Sequence, residues 1–342
     1  MSKRKNHHYV PRFYLKRFSV NGEGKTIGLY NYKNKVFIPN APIKHQASKD
    51  FLYGKDDGTE SDLAKLESAI SKLFHYWTEE KILIPPPKDS KAFSAIKRFI
   101  LYQIYRTPKA GNEALEHLND AFQKFIPFIE PNNADKFKEL KIVHEEATLL
   151  MLLHSADKEY LLNYLDCKFI VNLSELSFIT SDSPVILYNQ YMEKSGTYIG
   201  ATGLPSKGLQ IFYPIHPRLM ICLYDPNVYN CGDTTNCIST EEIDDIHQFN
   251  VMQFLNSDSQ LFFDEFISKE YIEECIINEY NDKKAPPKNV NKVIKTKDNR
   301  TFFFTSSENF HANLELSFFK LICDLDNSGF TPLRHPSLER KE

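Results

Sequence analysis

The stretch NHHYVPRFYLKRF, residues 6–18, sets two adjacent histidines before a proline and then interleaves aromatic side chains with cations. An imidazole titrates nearest neutrality, so His7 and His8 are candidates for a general base or for metal ligation. On an extended segment the two rings point to opposite faces, so one of them at most serves a given site. Pro11 suits the first turn of a short helix over PRFYLKRF. On that helix Arg12 and Lys16 share one face, and Tyr14 and Phe18 share another. One face can then neutralise phosphates while the other docks on a core. The plainer alternative is an arm anchored by its aromatics, with solvated cations.

Three more stretches carry chemistry-bearing side chains. Arg106 ends the apolar run ILYQIYRTP (100–108), where it either complements the helix dipole or presents its planar fork to a phosphate. Gln103, one turn earlier, shares that face. Asp182 falls in SFITSDSPVILY (177–188), between two apolar runs, where it can orient a histidine or bind a divalent ion. Its structural alternative is an Asx-turn on its own backbone. Asn250 interrupts the apolar pattern of IDDIHQFNVMQFLNSDSQLFF (243–263), and a buried amide requires partners. His247, three residues before it, can face the same way. HExxH, a P-loop, GxGxxG before a helix and an EF-hand loop are all absent.

The elements that must position these residues follow from periodicity. KTIGLYNYKNKVFIP (25–39) predicts a hairpin. Leu63, Leu66, Ile70, Leu73 and Trp77 are spaced for a helix capped at Ser61 or Asp62, and three prolines at 85–87 break it. A second helix runs from Asp89-Ser90 until Pro108, and helical stretches follow over 111–129 and 134–165. From 167 to 225 short β-rich runs alternate with turn residues. A helix capped by Ser239-Thr240, a strand in SQLFFDEF, a helix in ISKEYIEECIINEY and a hairpin around Lys297-Asp298-Asn299 complete the reading. The fold class is α+β, a helical middle segment packed on a mixed or antiparallel β-sheet. The expected organisation is a single domain over 1–342, with an N-terminal arm and hairpin (1–58), a helical segment (59–165), a strand-rich segment (166–330) and a loose tail (331–342).

A chain of 342 residues with 42% hydrophobic residues can bury a substantial core. Its formal charge of -3 excludes a polyanion binder in bulk, so nucleic-acid affinity needs a local patch. Lys3, Arg4, Lys5, Arg12, Lys16 and Arg17 supply one, with no acidic residue among the first eighteen positions. The six cysteines contain no CxxC, which points to reduced thiols. With neither an apolar leader nor a membrane-length run, the expectation is a cytoplasmic protein without a membrane partner.

HHYVPRFYLKRF at 7–18, YRTP at 105–108, TSDSPV at 180–185, FYPIHPRL at 212–219 and the Asn250 region together resemble the uncharacterised, mainly bacterial domain of unknown function family 4238. The resemblance implies no reaction. Its setting among mobile elements and phage-defence neighbourhoods implies a conflict role, and it implies that the four stretches converge in space. The leading expectation is a phosphodiester hydrolase, an RNA- or DNA-cleaving effector of a phage-defence or toxin-type system. His7, His8, Asp182 and Arg106 would be catalytic, and Arg12, Lys16, Gln103 and Asn250 would bind substrate. A divalent metal, Mg or Mn, would fall to His7, His8 and Asp182. The alternative is a non-enzymatic module binding a nucleotide, a nucleic acid (RNA before DNA) or a partner protein of a defence complex.

Overall fold

Apolar residues spaced by three, four and seven build the helical part of the chain, and β-branched and aromatic runs build the rest. The computed structural model describes residues 5–54, 58–232, 236–284, 288–295, 300–308, 310–326, 329 and 331–338. The helices in chain order are α1 (Arg12–Leu15), α2 (Gly58–Thr78), α3 (Lys91–Tyr105), α4 (Pro108–Ile129), α5 (Ala134–Phe137), α6 (Ala147–Ser155), α7 (Gln190–Lys194), α8 (Ile243–Asn256) and α9 (Asn278–Tyr280). The strands are β1 (Asn6–His8), β2 (Thr26–Asn31), β3 (Val36–Pro42), β4 (Ser48–Asp50), β5 (Asp166–Asn172), β6 (Thr180–Ser181), β7 (Ile186–Tyr188), β8 (Gln210–His216), β9 (Leu219–Tyr224), β10 (Tyr229–Cys231), β11 (Cys237–Thr240), β12 (Gln260–Phe263), β13 (Lys288–Lys295), β14 (Thr301–Glu308) and β15 (Phe319–Leu321).

Two sheets carry the architecture. One has the order β11-β5-β9-β8-β7, antiparallel except for the parallel pair β11/β5; the other is the antiparallel β3-β2-β12-β6. The fold is therefore α+β with mixed and antiparallel sheets. The largest core cluster joins Tyr14 and Phe18 of the arm, Phe74 and Trp77 of α2, and Phe99 of α3 to the inner face of β5, β8 and β9. Helix starts obey local capping chemistry. Ser90 Oγ accepts the Phe93 N–H (3.1 Å), and Thr107 Oγ1 accepts the Ala110 N–H (3.2 Å) ahead of Pro108. Gly111 brings α4 against α6 at backbone distance, since a Cβ there would stand 2.8 Å from the Thr148 nitrogen.

Several expectations are corrected. The helix expected over 134–165 is only α5, α6 and a 3₁₀ turn at Glu159–Leu162. Between them the chain is held to α4 in non-helical form, Asn119 bonding both the N–H and the carbonyl of Ile142 and Gln123 the Leu140 carbonyl, while Leu140 and Val143 are 52% and 82% exposed. Ser239 and Thr240 end β11 and do not cap α8; Thr240 Oγ1 instead accepts the Glu242 N–H (3.1 Å) and donates to Asp245 (2.8 Å). The tail expected to be loose is docked over 331–338. Arg334 is buried and donates to the carbonyls of Leu161, Asn163, Leu204 and Ser206. The tip of the second hairpin, at Lys297-Asp298-Asn299, lies outside the described residues, as do Lys3 and Arg4 of the basic opening. All six cysteines are free, and no helix among the described residues is long and apolar enough to cross a membrane.

Candidate functional site

β1 pairs antiparallel with β4, and this fixes the histidine pair. His7 is 1% exposed, its Nδ1 accepts the Tyr53 N–H (3.2 Å), and its ring stacks on Tyr53 at 5.4 Å. His8 faces the other way, half-buried, and its Nε2 bonds the Lys44 carbonyl (3.3 Å). Burial lowers its pKa, with the Lys44 bond acting against that trend. Arg106 caps the end of α3 at 2% exposure. It donates from Nε to Tyr53 Oη (3.1 Å), from Nη1 to Glu67 Oε1 (2.7 Å) and from Nη2 to the His8 carbonyl (2.7 Å). Burial opposes its charge, but Tyr53 and Glu67 together hold it above the usual arginine value. The guanidinium expected to clamp a phosphate is thus engaged in clamping β1 and α2 to α3.

The short helix docks as its periodicity requires. Tyr14 and Phe18 are fully buried, and Tyr14 Oη donates to the Pro214 carbonyl (2.6 Å), lies 2.6 Å from Thr180 Oγ1 and stacks on Tyr213. It bridges the two large sheets. Arg12 and Lys16 are exposed on the opposite face, whereas Arg17 turns inward against Phe74, Thr78 and Glu79.

Asp182 is buried as well. Its carboxylate accepts the N–H groups of Asp258 (2.8 Å), Ser259 (2.8 Å) and Gln260 (3.0 Å), and the Ser259 hydroxyl (2.9 Å). Burial raises its pKa against those donors. It orders the turn after α8 and, contrary to the sequence-based expectation, neither a histidine nor Arg106 is among its partners. Asn250 is fully buried between strands: Oδ1 accepts the Ile179 N–H (2.9 Å), and Nδ2 donates to the Ser177 carbonyl (2.9 Å) and to Tyr271 Oη (3.1 Å). His247 meets the same Tyr271 hydroxyl (3.1 Å), so the two do share a face. A π-helical stretch at Tyr271–Ile277 brings that hydroxyl in. Asn250 bridges the segment before β6 to the π-helical stretch, with both of its amide donors engaged. Among the described residues no group of three or more His, Cys, Asp or Glu side chains is arranged to hold a metal ion. His7, His8 and Asp182 do not form the metal set expected of them.

Gln103 lines a cavity. This cleft of about 820 Å³ lies between the end of α3, the first three turns of α4, the segment after β6, the end of α8 and the foot of the β13–β14 hairpin. Gln103 Nε2 donates to the Tyr9 carbonyl (2.9 Å), which fixes the amide's orientation. Its Oε1 is buried with no hydrogen-bond partner among the described residues, and so is Ser183 Oγ, from the opposite wall. Orphaned oxygens are costly unless something supplies a partner.

The cleft's charged groups were missed by sequence reasoning. Lys33 pairs with Asp258 (3.0 Å), and Lys109 donates to the Asn256 carbonyl (2.6 Å) and lies 3.6 Å from Glu113. Burial raises the Glu113 carboxyl's pKa, with Lys109 pulling it down. Lys284 Nζ donates to the Phe254 and Ser257 carbonyls at the end of α8 and sits over the Tyr32 and Phe254 rings at 4.8 and 4.7 Å. Those contacts favour the ammonium; burial, then the charge of Lys109, push its pKa down to about 7. A signal for part of this set existed. Lys109, Glu113 and His117 are spaced by four just after Pro108, a polar stripe on one face of α4.

One protein-family model, described as a protein of unknown function (DUF4238), matches residues 6–265. No curated protein and no solved structure matches the chain.

Proposed function

The chain belongs to DUF4238, a family of unknown function, and from that premise we propose that it is a binding module for a nucleotide-class ligand seated in the α3–α4 cleft. The observation that carries this reading is one cavity whose walls bring together the cations Lys33, Lys109 and Lys284 and the rings of Tyr32, Tyr105 and Phe310. A cavity of about 820 Å³ falls in the size range of small-molecule sites. Lys33 and Lys109 lie beside the N-terminus of α4 and can take a phosphate in exchange for Asp258 and Glu113, their present partners. Tyr32, Tyr105 and Phe310 on the walls supply rings for a base. Amide and hydroxyl groups around them suit its polar edge.

Cleavage of RNA or DNA through His7, His8, Arg106 and Asp182 has weaker support, because each of these groups is engaged in holding neighbouring backbone or side chains. A role beside a partner protein in a defence complex belongs to the same proposal, with the cleft as its recognition site. The test is calorimetric titration and thermal shift with a panel of nucleoside mono-, di- and triphosphates. A bound nucleotide raises the melting temperature by mass action, and Lys109→Met and Gln103→Leu weaken its affinity about tenfold or more. No binding by any nucleotide, together with RNA cleavage that His7→Asn abolishes, would return the weight to the hydrolase.

A further inference from the structure

The β13–β14 hairpin lies beyond residue 265, where the family match ends. Its register sets Val293 opposite Phe303 on one face, and Lys292 opposite Phe304 and Ile294 opposite Phe302 on the other. Phe303 packs on Phe125 of α4 with ring centroids 4.7 Å apart, while Asn289 and Thr305, on the same face, bond Asp120 and His117. The Phe302/Phe304 face therefore points away from α4. Ile294, Phe302 and Phe304 are 49%, 51% and 43% exposed there.

Two cations share the face of these rings, and two more lie on the side toward α4. Lys288 and Lys292 lie on the outer face, and Lys295 sits over Phe128 at 5.8 Å. Lys124 and Lys292 flank a shallow groove of about 590 Å³ that includes Phe128. None of these four lysines is ion-paired among the described residues; Glu308, across the register from Lys288, and Asp120, bonded by the Asn289 amide, are the nearby acids. In a chain of formal charge -3 this is a local excess of positive charge.

We propose that this face binds single-stranded nucleic acid. Phe302 and Phe304 are two residues apart on one strand face, about 7 Å at the strand rise. That arrangement presents successive ring faces on a sheet surface, on which unpaired bases stack. The lysines neutralise the phosphates that run beside them. A duplex keeps its bases paired inside and has none to offer the rings.

The experiment is fluorescence anisotropy of the full chain with short labelled oligonucleotides, as single-stranded RNA, single-stranded DNA and duplex, at two salt concentrations. Single strands bind and duplex binds far more weakly. Phe302→Ser and Phe304→Ser each weaken single-strand affinity about 5- to 100-fold, and Lys292→Gln with Lys295→Gln flattens its salt dependence. All these side chains are exposed, so melting temperature and circular dichroism stay unchanged. Equal binding of single strand and duplex, or unaltered affinity in both Phe variants, overturns the proposal. So does capture by anionic lipid vesicles without binding to any oligonucleotide, which would assign the face to a membrane surface. None of these substitutions touches Gln103, Ser183 or Lys109, so the outcome is independent of the cleft's ligand.

Discussion

In the N-terminal arm, His7 takes the Tyr53 amide, and Arg106 divides its donors among Tyr53, Glu67 and the His8 carbonyl. Across the molecule's α3–α4 cleft, Gln103 and Ser183 each keep a buried oxygen without a partner among the described residues. The two regions use similar residue types and treat them in opposite ways. Where a polar group is matched from within the chain, as at His7 and Arg106, the arrangement stabilises the fold. An unmatched group carries a stability cost wherever it falls, at Arg17 Nε in the arm as well as in the cleft, and what sets the cleft apart is the cavity that its residues line.

The contrast can be broken most directly at Arg106. Arg106→Met leaves Glu67 without its partner, and chemical denaturation should report a loss of about 3–5 kcal/mol; a near-neutral result would remove the arm's structural assignment. A second effect comes from His216, packed near Arg17 and Glu79, whose pKa burial depresses to about 4. A histidine kept neutral in the fold but free to protonate when unfolded contributes stability that is present above pH 6.5 and lost as pH falls through 4. The span is roughly 3 kcal/mol. In His216→Asn, whose side-chain oxygen can still accept the Arg218 N–H, that slope should flatten in acid titrations of stability. Asp182→Asn should cost about 2 kcal/mol by weakening four hydrogen bonds at the turn after α8, and should also weaken nucleotide binding, because that turn walls the cleft. The smallest effect has the opposite sign. Ser183→Ala removes an unpartnered hydroxyl, so stability should hold or rise by up to about 1 kcal/mol while nucleotide affinity drops. A clear loss of stability in Ser183→Ala would mean the hydroxyl is satisfied and the cleft is no exception to the arm.

Helices with continuous apolar faces were readable from the sequence, as Leu63, Ile70, Phe74 and Trp77 on α2 illustrate. The 134–165 stretch misled because its apolar residues keep helical spacing, yet over 138–146 side chains of α4, Asn119 and Gln123, take up the backbone groups a helix would have used. Among site residues, Gln103 was legible as a polar position on an apolar helix. Arg106, Asp182 and Asn250 stood out for the same reason, but sequence cannot tell a buried polar group that is matched from one that is not. Lys284 gave no local signal: its oxygens come from residues 27 to 30 positions away, and Lys33 and Lys109 meet it only through the tertiary fold.

The Tyr14 hydroxyl finds its acceptor on Pro214, 200 residues downstream. At a synthesis rate of about 5–20 residues per second, the ribosome needs roughly 10–40 s to make that acceptor after Tyr14 is polymerised. Through that interval Tyr14 and Phe18 have yet to meet the β8 surface that buries them. A hydrogen bond that joins the two large sheets therefore waits on strand β8, long after its donor has been made.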